Sequence, residues 1–126
     1  MNAQEAYDVL LHAKIFQDSH VGPAARIPET VRALLSLLST PHASEAFNRL
    51  LAEATLAGQL YALCGLYYAD HEAFKEAVKR YRYWDDLIMT QHGCLVEEER
   101  VSDLIEYIIG GRYPSMFRSV AKYVAE

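Results

Sequence analysis

The stretch from Thr55 to Asp70 constrains the fold more than any other part of the chain, because no side of it suits solvent. On a helix, small residues would form a groove along one side, and large apolar residues would form a ridge along the other. The groove contains Gly58, Ala62, Gly65 and Ala69, and the ridge contains Leu56, Leu60, Leu63 and Tyr67. A helix that is apolar all round is buried on more than one face, and a strip of small residues lets a neighbouring backbone come close. The sequence therefore predicts a buried central helix over residues 55–70.

The length and composition of the chain suit one folded domain. With 126 residues, 52% of them hydrophobic, the chain is long enough to bury a core. We therefore expect a single all-helical domain over residues 1–126. The net charge of -5 argues against a general nucleic-acid binder, which normally carries a basic excess, and it suits a basic protein partner better.

Three further features bound the cellular context. The chain has no apolar run of about 18 residues, so we expect no membrane span. The first residues, MNAQEAYDVLLHAKIF, are polar and acidic where a signal peptide is apolar, so we expect a cytoplasmic protein, or a periplasmic one if an export signal has been removed. Cys64 and Cys94 are too few for a disulfide framework or a zinc site. We expect two separate thiols, and a disulfide between them is the alternative for an exported form.

Helical patterns cover most of the first two thirds of the chain. Apolar spacing and capping residues predict helices over residues 3–16, 28–39, 41–54, 55–70 and 70–83, with a loop over residues 17–26. Short connections would pair these helices as antiparallel hairpins. Successive helix pairs with an Ala- and Gly-rich inner helix resemble HEAT-type α-helical repeats over roughly residues 28–83. That resemblance implies a curved surface that binds proteins or peptides and has no inherent chemistry.

The pattern changes after Tyr83. Between residues 84 and 100, two apolar clumps flank the turn-prone pair His92-Gly93, which indicates either a small hairpin or an ordered loop. We favour the loop, because an isolated two-stranded ribbon is marginal unless it packs on something else. Two more helices follow, one after Ser102 that stops at Gly110-Gly111 and a last one opened by Pro114. The predicted fold class is thus all-α, with six to seven helices around the central one in a HEAT-like or irregular bundle.

One loop contains the ingredients of an activated nucleophile. Cys94 lies near His92 and Glu97, which supply a thiol, an imidazole and a carboxylate. The local signatures of known Cys/His enzymes are absent, and the remaining histidines are scattered. We therefore predict no catalytic residue, no cofactor and no metal ligand.

Charged and aromatic residues mark a candidate partner surface. Lys75, Lys79 and Arg82 share a helix face with glutamates, which predicts a self-neutralised surface. The last third of the chain is acidic and follows an Arg-Tyr-Trp run, and Tyr, Trp and Arg are the residues that anchor protein interfaces. The predicted partner-binding residues are Tyr83, Trp84, Asp85, Asp86, Glu97, Glu98, Glu99, Asp103 and Glu106.

These observations favour a non-enzymatic protein that binds a partner by shape and charge. A small acidic chain without a catalytic motif resembles, by type, the bacterial immunity and inhibitor proteins, which neutralise a partner protein by covering it. Two alternatives stay open. One is a small enzyme that uses the loop of His92 and Cys94, and the other is a scaffold subunit that forms a homodimer through its last helix rather than remaining a monomer.

Overall fold

A computed structural model of the protein describes residues 1–124, which form seven α-helices and three β-strands. The helices are α1 (Ala3–Leu11), α2 (Glu29–Leu38), α3 (Ala43–Glu53), α4 (Leu56–Ala69), α5 (His71–Ala77), α6 (Val101–Ile109) and α7 (Arg112–Ser119). The strands are β1 (Phe16–Val21), β2 (Leu87–Gly93) and β3 (Leu95–Arg100), and short 3-10 helices cover Val78–Arg80 and Ala121–Tyr123. The last two residues of the predicted domain, 125 and 126, lie outside the described residues.

The predicted central helix is confirmed as α4. Nine of its 14 residues are buried, and they cover every side of the helix. The Thr55 hydroxyl accepts a hydrogen bond from the backbone N–H of Gly58 (3.2 Å), and the Asp70 carboxylate accepts one from the N–H of Ala73 (3.1 Å) and so caps α5. None of the helices within residues 1–124 is long and apolar enough to cross a bilayer, since α4, the longest, is well short of the roughly 20 residues required.

The small-residue groove of α4 receives two different neighbours. A Cβ atom at Gly58 would lie 2.1 Å from the carbonyl oxygen of Leu10, so the end of α1 approaches α4 backbone to backbone. A Cβ atom at Gly65 would lie 2.4 Å from the ring of Phe47, so an aromatic side chain of α3 fills that part of the groove. The predicted close approach of a backbone is thus present at one end of the groove.

The three strands form one mixed sheet with β2 in the middle. Strand β1 runs parallel to β2, with Phe16 beside Thr90, and β3 runs antiparallel to β2. Strands β2 and β3 are joined by the two-residue turn Gly93-Cys94, in which Gly93 has a φ of +61°. A positive φ at the first turn residue is typical of a type II′ hairpin turn and explains the glycine.

The predicted all-α fold class is wrong, because the chain combines helices with this mixed sheet. The favoured loop over residues 84–100 is the hairpin β2–β3, and the predicted loop over residues 17–26 contains β1. The argument that an isolated ribbon is marginal still holds, but β1 supplies a third strand from about 70 residues earlier in the chain. The first helix ends at Leu11 instead of residue 16, because Phe16 belongs to the strand.

Aromatic side chains join the sheet to the helices. The ring of Phe16 packs against Tyr61 of α4 and Tyr113 of α7, with ring centres 4.8 and 4.9 Å apart. The buried Tyr61 hydroxyl accepts hydrogen bonds from the backbone N–H of Gln17 (2.7 Å) and the hydroxyl of Thr30 (2.8 Å), and burial raises the pKa of Tyr61. Strand β1 is therefore held against α4 by both apolar and polar contacts.

Candidate functional site

The nine residues predicted to bind a partner fall into three groups. Tyr83, Asp85, Asp86, Asp103 and Glu106 are exposed near the start of β2 and α6, Glu97 and Glu98 are exposed on β3, and Trp84 and Glu99 are partly buried. The first group is drawn together by backbone hydrogen bonds from Val101 N–H to the carbonyl of Asp86 and from Ser102 N–H to the carbonyl of Trp84. The Trp84 ring stacks on Tyr81, with ring centres 5.5 Å apart, and so covers an edge of the core.

The hairpin also exposes apolar side chains that the predicted surface did not include. The pairs Leu87–Arg100, Met89–Glu98 and Gln91–Val96 lie on one face of the sheet. On this outer face Leu87 is 56% exposed, Met89 42% and Val96 46%. Single exposed apolar residues are ordinary, but here three share one side of a hairpin beside a row of glutamates.

Strand β3 leaves one edge of the sheet unpaired. In the strand order β1-β2-β3, β3 has a neighbour on one side only among the described residues. The residues that flank a two-residue turn, here His92 and Leu95, exchange both backbone hydrogen bonds, and the pattern then alternates along the ladder. By that alternation the N–H and C=O groups of Val96 and Glu98 point away from β2. An edge of this kind can pair with another chain.

A second feature lies on the inner face of the same sheet. A cavity of about 260 Å³ opens where the three strands meet α6 and α7. Each strand contributes one titratable side chain to its wall, and the helices contribute aromatic, basic and apolar ones. The lining residues are Asp18, His92 and Glu99 from the strands, Tyr107 from α6, and Arg112, Tyr113 and Met116 from α7.

His92 lies between the two carboxylates of the cavity. Its Nε2–H donates a hydrogen bond to Oε2 of Glu99 (2.7 Å), and its Nδ1 is 3.7 Å from Oδ2 of Asp18. The hydroxyl of Thr90, which is fully buried, donates to the same Glu99 oxygen (2.5 Å). The inward-facing residues of β2 and β3 thus form one polar network across the hairpin.

Two lining groups have shifted pKa values. Partial burial acts to raise the pKa of Glu99, but the hydrogen bonds from Thr90 and His92 and the charge of His92 outweigh it, so the pKa is lowered. The pKa of Tyr113 is raised, first by burial and then by the nearby charge of Glu99. Tyr113 is only 4% exposed, and its hydroxyl has no hydrogen-bonding partner among residues 1–124. No buried side-chain polar atom there lacks a partner, so this hydroxyl faces the open space of the cavity.

Within the described part of the chain, the cavity places no thiol beside His92. Both ring nitrogens of His92 face carboxylates, so neither is directed at a nucleophile. Cys94 is exposed at the hairpin turn and does not line the cavity, and Cys64 is buried in α4, where burial raises its pKa well above the ordinary value. The hypothesis of a thiol and imidazole pair therefore gains no support from the geometry. Within residues 1–124 no group of His, Cys, Asp and Glu side chains is arranged to hold a metal ion.

Another concavity, of about 460 Å³, runs along α3 and α5, and its one carboxylate, Glu76, is already paired with Lys79 (2.8 Å). Lys75 pairs with Glu72 in the same way (2.9 Å), so these two lysines are neutralised by neighbouring glutamates, as predicted. Arg82, the third residue of the predicted stripe, instead pairs with Glu106 of α6 (3.6 Å).

Sequence reasoning missed most of the cavity. Asp18 lies about 90 residues before Tyr107, Tyr113 and Met116, and no local motif marks any of the four. The one available signal was the alternation Ile88, Thr90, His92 ahead of Gly93, which is typical of a strand with one inward face entering a turn. Applied to residues 84–100, it would have placed His92 and Glu99 on a shared face.

The fold and these two features define a small mixed α and β protein with an open edge strand beside a polar, aromatic-lined cavity. Comparison of the chain with protein-family models, with curated protein sequences and with solved structures gives no match.

Proposed function

We propose that this protein binds a partner protein by strand addition, with an extended segment of the partner pairing along the open edge of β3. The observation that carries the proposal is the unpaired edge at Val96 and Glu98, which adjoins the exposed apolar face of Leu87 and Met89. In strand addition, backbone hydrogen bonds supply affinity and alternate side chains supply specificity. The apolar face would then provide area that the partner covers.

Charge favours a basic partner segment. Glu97 and Glu98 are exposed on the edge strand, and Asp85, Asp86 and Asp103 extend the acidic surface toward α6. A segment with Lys or Arg at alternate positions would pair with these carboxylates and would be steered toward them during approach. A second copy of this chain fits less well, because an antiparallel pair of β3 strands centred on Glu97 or Glu98 puts carboxylates opposite one another.

The biological role that fits this binding mode is that of an immunity or inhibitor protein. An added strand and the apolar face beside it would hold the segment that the partner donates. If that segment belongs to the working surface of a toxin or enzyme, binding neutralises it. No step of the proposal needs chemistry from this chain.

A peptide selection tests the proposal. Displayed random peptides would be selected on the wild-type protein, and the selected peptides would then be tested for binding to the Glu98→Pro variant. This substitution removes one N–H from the open edge but leaves the β2–β3 ladder intact. We expect enriched peptides that carry basic residues at alternate positions, bind the proline variant much more weakly, and shift the NMR amide signals of Val96 and Glu98.

Glu98→Gln is the matched control, because it removes the same charge and keeps the backbone donor. It should weaken binding only modestly, through the lost charge. Peptides that bind wild type and Glu98→Pro equally well would refute strand addition at this edge.

A further inference from the structure

The cavity beneath the hairpin offers hydrogen-bond acceptors that the chain itself leaves unused. Oε2 of Glu99 accepts hydrogen bonds from Thr90 and His92. Its second oxygen, Oε1, has no hydrogen-bonding partner among residues 1–124. The same is true of the Tyr113 hydroxyl in the cavity wall, although the residue is 96% buried. Both residues line the cavity and neither oxygen is sealed from solvent, so a ligand that donates hydrogen bonds fits these two acceptors.

The charges of the cavity favour a cation. Asp18 and Glu99 carry two negative charges, and Arg112 carries one positive charge. The Arg112 guanidinium lies over the Tyr107 ring, 4.9 Å from its centre, and forms no ion pair with any residue that the structure describes. Among the residues that the structure describes, His92 is the one that pairs with these carboxylates, although Arg112 lines the same cavity.

The walls and the volume of the cavity fit a flat cation on an apolar stem. Tyr107 and Tyr113 present aromatic rings, and Met116 adds an apolar contact. Guanidinium stacks on aromatic faces and donates several hydrogen bonds in one plane, whereas ammonium acts as a compact point charge. At about 260 Å³ the space is below the usual range for a drug-sized ligand, which suits a single side chain.

We infer that this cavity receives an arginine side chain of the partner segment that pairs with β3, and this inference rests on the proposed function. Glu99 lies on the inner face of β3 and in the cavity wall, so a strand added beside β3 places its own inward side chains next to Glu99. Neighbouring strands are about 4.8 Å apart, which is less than the reach of an arginine side chain. The guanidinium would donate to Oε1 of Glu99 and to the Tyr113 oxygen.

The inference is tested with an end-blocked peptide of alternating Thr and Arg residues. Its analogues carry citrulline, which keeps the shape of arginine without the charge, or lysine. Binding to the full chain is followed by NMR titration. We expect the citrulline peptide to bind wild type about tenfold more weakly, and the arginine peptide to bind Glu99→Gln about tenfold more weakly. Tyr113→Phe should weaken binding of the arginine peptide by a smaller factor, because this substitution keeps the ring and removes only the hydroxyl.

Glu97→Gln is the control for Glu99→Gln, since it removes the same charge from an exposed position of the same strand. Loss of binding to the Glu98→Pro variant would show that the arginine peptide binds at the edge. If it does so, yet neither the citrulline replacement nor Glu99→Gln changes the affinity, the cavity inference is wrong and strand addition stands. Equal binding of the lysine peptide would refute the preference for guanidinium.

Methylguanidinium alone gives a readout that does not depend on strand addition. It should shift the ring signals of Tyr113 in wild type and shift them less in Glu99→Gln. If the peptides fail and methylguanidinium binds, strand addition is wrong and the cation site stands. If neither the peptide nor methylguanidinium shifts these signals, both proposals are wrong.

Discussion

Glu99 belongs both to the edge strand β3 and to the wall of the cavity. It was predicted as one of three exposed glutamates, but its side chain turns inward and accepts hydrogen bonds from Thr90 and His92. Its neighbours Glu97 and Glu98 are exposed. Glu98 differs from Glu99 because a strand sends successive side chains to opposite faces. Glu97 shares the inner face with Glu99, but it does not line the cavity.

This environment predicts a pH dependence of stability that depends on Glu99. Because the pKa of Glu99 in the folded protein is lowered from 4.5, its contribution to stability is fully present above that value and is lost as the pH falls through the folded pKa. In urea denaturation between about pH 6 and pH 3, the free energy of unfolding of wild type should fall more steeply than that of Glu99→Gln.

Glu97→Gln provides the comparison for the pH experiment. Its carboxylate is exposed, so its removal should leave the slope close to that of wild type. If wild type and Glu99→Gln lose stability in parallel over this range, the hydrogen bonds to Glu99 do not favour its charged form.

At the scale of elements, the junction of α1 and α4 holds the helical part together. The Thr55 N–H donates to the carbonyl of Leu11 (3.1 Å), and the Thr55 hydroxyl donates to the carbonyl of Ala13. The start of α4 thus satisfies carbonyl groups that the end of α1 leaves free. These bonds require the two backbones to be close, and Gly58 is the residue that permits it.

Gly58→Ala should therefore destabilise the protein although alanine is the better helix former. The new Cβ atom would lie 2.1 Å from the Leu10 carbonyl oxygen, so α1 must move and strain the Thr55 hydrogen bonds. We expect a loss of about 1–3 kcal/mol in the free energy of unfolding, which outweighs the gain of about 1 kcal/mol in helix propensity. Thermal and urea denaturation measure this loss, and Gly58→Leu should lose more.

Gly110→Ala is the control for the substitution at Gly58. Gly110 ends α6 with an ordinary negative φ, and a Cβ atom there would have its nearest neighbour at 3.5 Å. Its stability should stay close to that of wild type. Equal stability of Gly58→Ala and wild type would mean that the close contact between α1 and α4 is not needed.

The helices could be predicted from the sequence because their evidence is local. The groove of α4 and the caps at Thr55 and Asp70 all lie within the elements that they define. Strand β1 has no comparable evidence, because FQDSHV contains only two large apolar residues and its partner β2 is about 70 residues away. The cavity was unpredictable for the same reason, since it exists only once Asp18, Glu99 and Tyr113 are brought together.

At the scale of the whole molecule, the open edge of β3 raises the question of why copies of the chain would not pair with one another. Natural edge strands avoid such pairing by placing charges on the edge. If the β3 strands of two copies paired antiparallel with Glu97 or Glu98 at the centre, carboxylates of the two copies would lie opposite one another. Under the proposed function the same residues would attract a basic segment, so one feature would both disfavour self-association and select the partner.

A double substitution, Glu97→Thr with Glu98→Thr, separates these effects. Threonine has a high strand propensity and carries no charge, so the edge becomes able to pair with its own copy. The weight-average sedimentation coefficient of this variant should rise with protein concentration more steeply than that of wild type.

The variant Asp85→Ser with Asp86→Ser is the control. It also changes the net charge from -5 to -3, but its substitutions lie before β2. If both double variants associate to the same extent, net charge alone controls association. If the threonine variant alone associates, the two glutamates act on the edge itself, and the strand that they protect from its own copy is the one offered to a basic partner.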